Sequence, residues 1–239
     1  MQTYKPKLSL VIPCYNEAAR FGTNIEDLFM YLQKQRYSFE VIFVDDGSTD
    51  ATLKKLREYA EKYENVRIIE HVQNEGKGEA VRSGVLASTG EAIVFLDADM
   101  STPIETLEQC WPVFKKGGEV IIGSRRHPDS IIKTPQPWLR VTLGHGFTRL
   151  TNLLLGLHVS DVTCGLKMLE ARTGKTLFRL LKRGDWSFDA EMLFLARKRR
   201  MKIVEVPVVW TNVKGTKVHL LKDLFGSLWS LIFIRLKDR

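Results

Sequence analysis

Ala92-Ile93-Val94-Phe95-Leu96 runs without a polar side chain directly into Asp97-Ala98-Asp99. A short apolar run rich in β-branched and aromatic residues reads as a strand covered on both faces, and the carboxylates that follow it lie where the chain leaves the sheet. The same arrangement recurs upstream. Residues 8–12 lead into Pro13-Cys14-Tyr15-Asn16-Glu17, and residues 41–44 lead into Asp45-Asp46-Gly47-Ser48. Residues 66–69 and 120–122 read as two further strands. Between them Ile25, Leu28, Phe29 and Leu32 follow a Thr23-x-x-Glu26 capping box at helical spacing, and Leu53, Leu56 and Ala60 do so after Asp50. A third helix is expected near Gly78, and a fourth after Thr102-Pro103, where Glu105 completes a second capping box. Repeated β-α units of this length predict an α/β fold with a mostly parallel, doubly wound sheet.

Beyond Arg125 the pattern changes. Pro128, Pro135 and Pro137 mark a loop-rich passage, residues 139–157 read as an apolar helix, and residues 203–206 and 208–210 resume strand character. A final helix places Leu221, Leu224, Phe225, Leu228, Leu231 and Ile232 on one stripe. The expected division is a catalytic domain over 1–215, with a nucleotide half (1–125) and an acceptor half (126–215), followed by an amphipathic helix over 216–239.

With 239 residues, 44% hydrophobic and 27% charged, the chain can bury one sizeable core and leaves no room for a large disordered region. Cys14, Cys110 and Cys164 show neither disulfide-framework nor zinc spacing, which fits a reducing cytoplasm. None of His71, His127, His145, His158 and His219 makes a metal-ligand spacing with another. No hydrophobic leader opens the sequence, and the apolar run 224–234, broken by Gly226, Ser227 and Ser230, is far shorter than the roughly 20 residues a membrane span needs. A net charge of +8 favours an anionic partner: nucleic acid, a phosphorylated substrate or an acidic membrane.

Ligands of open α/β sheets bind beyond the carboxyl ends of the strands. Neither G-x-G-x-x-G nor G-x-x-x-x-G-K-[ST] occurs, so phosphates must be handled otherwise. In an extended backbone residues two apart project to the same side, which gives Asp97 and Asp99 the disposition of a hard-cation site. Mg²⁺ or Mn²⁺ held there would face a diphosphate. A solvated helix-capping turn is the other reading of an Asp-x-Asp triplet. Asp46 is placed to accept hydrogen bonds from a base or ribose, and Tyr15 to offer an aromatic face; Asp45-Asp46-Gly47-Ser48 is also an ordinary strand-to-helix turn. Gly76 and Gly78 flank Lys77 ahead of a helix, which suits close backbone approach to a phosphate with Lys77 as a point charge.

Taken in order, Val11-Ile12-Pro13-Cys14-Tyr15-Asn16-Glu17, Val44-Asp45-Asp46-Gly47-Ser48-Thr49-Asp50, Asn74-Glu75-Gly76-Lys77-Gly78 and Leu96-Asp97-Ala98-Asp99 resemble the family 2 glycosyltransferases. Gly123-Ser124-Arg125, Asp161-Val162-Thr163-Cys164-Gly165, Phe188-Asp189-Ala190-Glu191 and Glu205-Val206-Pro207-Val208 extend the resemblance over nearly the whole chain. It is strongest to the branch holding dolichyl-phosphate glucose and mannose synthases and bacterial polyprenyl-phosphate sugar transferases.

The resemblance implies a GT-A type, Rossmann-like single domain and an inverting transfer of a hexose from a nucleoside diphosphate to a polyprenyl or dolichyl phosphate. It assigns Pro13, Tyr15, Glu17 and Asp46 to the nucleoside and Asp97 to the ribose and diphosphate. Asp99, with Asp97, holds Mg²⁺ or Mn²⁺. Arg125 and Arg140 meet the acceptor phosphate, Asp161 takes the position of a base, and Asp189 is a second carboxylate near the acceptor. Ser101-Thr102 replaces a glutamine common in the mannose synthases, which favours UDP-glucose over GDP-mannose. An acceptor phosphate with a second pKa near 6 is already ionised at neutral pH, so Asp161 would organise rather than abstract a proton. Two rivals remain at this level. One is a soluble or saccharide acceptor, which would require a true base; the other is a non-catalytic basic protein that binds membrane or nucleic acid on the same fold. No nucleic acid is expected. Trp229 and Phe225, on a helix with Lys222, Arg235, Lys237 and Arg239, suit peripheral contact with the cytoplasmic face of a membrane.

Overall fold

A computed structural model describes residues 5–213 and 220–237. Seven strands form one sheet, in the order β3-β2-β1-β4-β7-β5-β8. These are β1 (Leu8–Cys14), β2 (Phe39–Asp45), β3 (Val66–Glu70), β4 (Ala92–Phe95), β5 (Val120–Ser124), β7 (Lys167–Glu170) and β8 (Ile203–Pro207). All run parallel except β7, which is antiparallel to both β4 and β5. β6 (Ile131–Thr134) and β9 (Val209–Thr211) pair in a separate two-stranded sheet.

Helices cover both faces. On one, α1 (Thr23–Gln33), α2 (Thr52–Lys62) and α4 (Leu107–Lys115) bury Ile25, Leu28, Leu56, Leu107 and Cys110. On the other, α3 (Lys77–Ala87), α6 (Ala171–Leu180) and α7 (Phe188–Lys198) pack with α5 (Trp138–Leu155) and α8 (Leu220–Lys237). The near-continuous apolar strands follow from this double cover. Sequence order reverses at β1, which lies between β2 and β4. That is the switch point at which such sheets open a crevice.

One helix departs from the sequence reading at its start. The capping box at Thr102 does not form: Thr102-Pro103 leads into a 3₁₀ turn, Ile104–Thr106, ahead of α4, with no side-chain cap, while the Thr23 side chain of the other box lies outside the described residues. The Thr102 hydroxyl is instead buried against Cys164 Sγ. All three cysteines are free and buried. β6 and β7 were not expected. Leu166-Lys167-Met168-Leu169 is short, contains a lysine and runs into a helical pattern, so local periodicity hides the strand.

The final helix buries Ser230, Leu231 and Ile234 and exposes Trp229, Ile232 and Leu236. The expected stripe therefore divides, with Leu231 in the core and Ile232 outside. His219, Arg239 and the side chains of Leu221, Lys222, Leu224, Phe225, Leu228 and Lys237 lie outside the described residues. No described helix is long and apolar enough to cross a membrane.

The seat of α3 on the sheet depends on Gly84. A Cβ there would lie 2.3 Å from Val11 Cγ1 and 3.1 Å from Val44 Cγ2, both on rigid, fully buried side chains. Gly84→Ala should therefore cost about 1–3 kcal/mol, read as a lowered urea midpoint with an unchanged slope.

Candidate active site

The carboxyl ends of β1, β2, β4 and β5 share one edge of the sheet, and the reversed β7 brings residues 161–167 to the same edge. Its start pairs with the ends of its neighbours, Lys167 with Phe95 and with Ile122. The first two tips are stitched together by Asn16, a non-glycine residue at φ 52°. Its side-chain oxygen accepts from the Thr49 amide at 2.8 Å, and its own amide donates to the Ser48 hydroxyl at 2.9 Å. Tyr15 and Pro13 remain half-buried beside this seam, and Glu17 is buried and paired with Arg20 at 3.0 Å.

Asp46 is 2% exposed and its carboxylate is committed internally. One oxygen accepts from the Glu75 amide and pairs with His71 Nδ1, both at 2.9 Å; the other accepts from Asn74 Nδ2 and the Gly76 amide, also at 2.9 Å. Asp46 therefore shapes the 71–76 loop, with His71 among its partners. The neighbouring Asp45 keeps a buried Oδ1 with no partner among the described residues.

The glycines around Lys77 serve another purpose than the phosphate cradle expected of them. The Gly78 and Glu79 amides donate to the Gly184 carbonyl at 2.7 and 3.2 Å, and a Cβ on Gly78 would come within 2.8 Å of that carbonyl. The first turn of α3 is thus capped by protein. Only the Lys77 side chain reaches the edge, where its ammonium lies 2.5 Å from Asp97 Oδ1 and over the Trp186 ring at 5.2 Å.

Asp97-Ala98-Asp99 forms a turn rather than the extended segment expected, with Met100 at φ 50° and its amide on the Asp97 carbonyl at 3.0 Å. Ala98 is buried in the core while Asp97 and Asp99 are half-buried on the open side, so both carboxylates still face outward. Burial raises the Asp97 pKa, but Lys77, Lys167 and Arg125 outweigh it and hold the carboxyl below its usual value. No cluster of three or more acidic, histidine or cysteine ligands occurs among the described residues. Two hard oxygen donors at an open edge fit a cation whose shell is completed by phosphate oxygens and water, as Mg²⁺ usually is. That Asp97 already carries an ammonium shows that the position accommodates positive charge. Behind it, Gly165 leaves the room that this carboxylate occupies: a Cβ there would lie 2.2 Å from Asp97 Oδ2.

Asp161 is fully buried and held in a fork by Arg125, whose Nε and Nη2 donate at 2.6 and 2.8 Å. Burial would raise its pKa, but the guanidinium overrides this and holds it down to about 2. Glu205 fixes the same loop by accepting from the Ser160 amide and hydroxyl at 2.9 and 2.6 Å. Asp189, at the start of α7, is buried beside Lys167 Nζ at 2.7 Å, a charge contact rather than a directed hydrogen bond. Burial raises the Asp189 pKa, with Lys167 and Lys77 opposing. Lys167 is completely buried and donates to the Cys164 carbonyl at 2.7 Å. Lys167 thus pairs with Asp189, while Asp161 belongs to Arg125. The first turn of α5 adds Arg140, half-buried, whose pKa is lowered by burial and by the nearby Arg125, while Asp99 opposes the shift.

The glycosyl transferase family 2 model matches residues 9–175 of this chain. The chain is 36% identical to the dolichyl-phosphate beta-glucosyltransferase of Mus musculus over 97% of its length and 75% of the relative's. It is 34% identical to the corresponding enzyme of Drosophila melanogaster, over 93% and 74%. This protein belongs to glycosyl transferase family 2. Among solved structures, the glucosyl-3-phosphoglycerate synthase of Mycobacterium tuberculosis, in complex with Mn²⁺, UDP and phosphoglyceric acid, shares the fold with a TM-score of 0.69. That match has 21% identity and covers 97% of this chain and 78% of the other.

For the glycosyltransferase, the close approach at Gly165 makes a direct forecast. Gly165→Ala should displace the Asp97 carboxylate and lower kcat/KM about a hundredfold, with circular dichroism unchanged. The Arg125–Asp161 pair makes another. A carboxylate depressed by folding adds stability above its unfolded pKa of about 4 and loses it as pH falls toward the folded value. Stability on the order of 2 kcal/mol should therefore disappear between about pH 4 and pH 2, a slope that Asp161→Asn flattens in acid denaturation.

Proposed function

We propose that this glycosyltransferase moves glucose from UDP-glucose to a dolichyl or polyprenyl phosphate, with inversion at the anomeric carbon. The carrying observation is the state of Asp161. A carboxylate that is fully buried, clamped by arginine and held near pKa 2 is a poor general base at neutral pH. The acceptor oxygen must then arrive ionised, which a phosphate does and a sugar hydroxyl does not. The names of the similar dolichyl-phosphate enzymes support the same reading.

In this reading residues 1–125 serve the donor, with Pro13, Tyr15 and Glu17 around the nucleoside and Asp46 fixing the loop that forms its wall. Lys77 and Asp97 meet the diphosphate. Asp97 and Asp99 hold Mg²⁺ or Mn²⁺, which supplies positive charge against the leaving diphosphate. Residues 126–215 serve the acceptor, with Arg125 and Arg140 orienting its phosphate, a task suited to the planar guanidinium fork. Asp161 aligns Arg125, and Asp189 balances Lys167 beneath the cleft.

The lipid would arrive along α5 and α8, which pack together and expose Trp138, Leu139 and Leu153 on one helix and Trp229, Ile232 and Leu236 on the other. An apolar face with arginines near it suits peripheral contact with an anionic membrane surface, here the cytoplasmic face.

The test is a donor screen with UDP-glucose and GDP-mannose, with and without polyprenyl phosphate. Product should require UDP-glucose and the lipid phosphate together, vanish with EDTA and return with Mn²⁺ or Mg²⁺. Turnover that survives chelation would remove the metal from Asp97 and Asp99, and glucosylation of a saccharide alone would remove the phosphate acceptor.

A further inference from the structure

The segment joining α6 to α7, residues 181–187, touches the molecule in two separate places. On the donor side, the Gly184 carbonyl caps the first turn of α3 and the Trp186 ring lies against the Lys77 ammonium. On the other side, Arg183 Nη2 donates to the Ser230 hydroxyl in the middle of α8 and to Asp185 Oδ2 at 2.6 Å. The same guanidinium lies over the Phe233 ring at 5.4 Å, and Ser230 is fully buried.

The strap has little freedom between these ends. Buried Glu191 accepts from the Lys182 and Arg183 amides, the latter at 2.8 Å, and Asp185 Oδ1 accepts from the Ser187 amide at 2.8 Å. Gly76 and Gly78 bring it so close to α3 that a Cβ at either would fall within 2.8 Å of the Gly184 carbonyl. A displacement of Arg183 therefore reaches Gly184 and Trp186 with little slack, and Trp186 is what lies against Lys77. Coupling of this kind requires a continuous run of packed and hydrogen-bonded groups, and this segment supplies one.

We propose that Arg183 is a positioning residue through which α8 sets the placement of Lys77, so that the seating of α8 governs affinity for the diphosphate end of the donor. This rests on the reading of Lys77 as a donor ligand. It makes donor binding answer to the helix that carries Trp229 and Ile232 on its exposed face.

The probe is UDP with Mn²⁺, titrated calorimetrically into the full chain and into R183A, R183K, S230A, K77A and the K77A/R183A pair. R183A should weaken UDP binding about fivefold, and S230A should shift it in the same direction. R183K should recover only part, because an ammonium lacks the guanidinium's fork. In the K77A background the further loss from R183A should be no more than about twofold, and KM for polyprenyl phosphate should not move. An equal loss in both backgrounds would show that Arg183 acts without Lys77 and overturn the proposal. So would unchanged UDP binding in R183A while K77A weakens it, a result that leaves Lys77 as a donor ligand. Indifference of UDP to K77A removes the Lys77 reading itself, and the coupling with it. Should R183A fail to fold, R183K and S230A carry the same comparison.

Discussion

Three carboxylates at the open edge of the sheet are each held by a cation from another part of the chain: Asp97 by Lys77, Asp161 by Arg125 and Asp189 by Lys167. Taking such charges out of water costs several kcal/mol apiece, which only close pairing offsets. The pairs therefore fix where the β4 turn, the loop before β7 and the start of α7 must meet. They also leave the charged groups at this edge fixed in place before any ligand binds.

β7 makes this convergence possible. A wholly parallel sheet would bring only carboxyl ends to this edge. Running backwards between β4 and β5, the strand starts with Lys167 beside the tips of its neighbours, and the loop that leads into it carries Asp161 and Gly165 to the same edge. Gly165 then admits Asp97 at a distance no side chain would allow. The same economy of space appears at Gly76 and Gly78, where the missing side chains admit the 181–187 strap rather than a ligand.

Much of the site was legible because its parts are local. An apolar strand that ends in carboxylates declares itself from composition and spacing, so Asp46, Asp97 and Asp99 could be placed at strand tips without coordinates. The partners were not legible. His71, Lys167 and Trp186 are ordinary residues in sequence, and only Lys167 gave a signal, as a lone charge within an apolar run that must find a counter-charge if buried. The capping box at Thr102 failed for a related reason: its hydroxyl was drawn to Cys164 by packing, and a local cap of about 1 kcal/mol does not compete with core placement.

The sequence by itself determined the alternation of strands and helices, the double cover of the sheet and the chemistry available at its edge, because hydrophobic period and residue type act over a few neighbours. Only the tertiary structure decided which cation meets which carboxylate, that Asp46 shapes a loop, and that Arg125 clamps a buried Asp161 and holds its carboxyl low. Those outcomes depend on burial and on distances between groups 20 to 36 residues apart in the chain, and electrostatic energy is set by separation in space and by the surrounding medium, not by spacing along the chain.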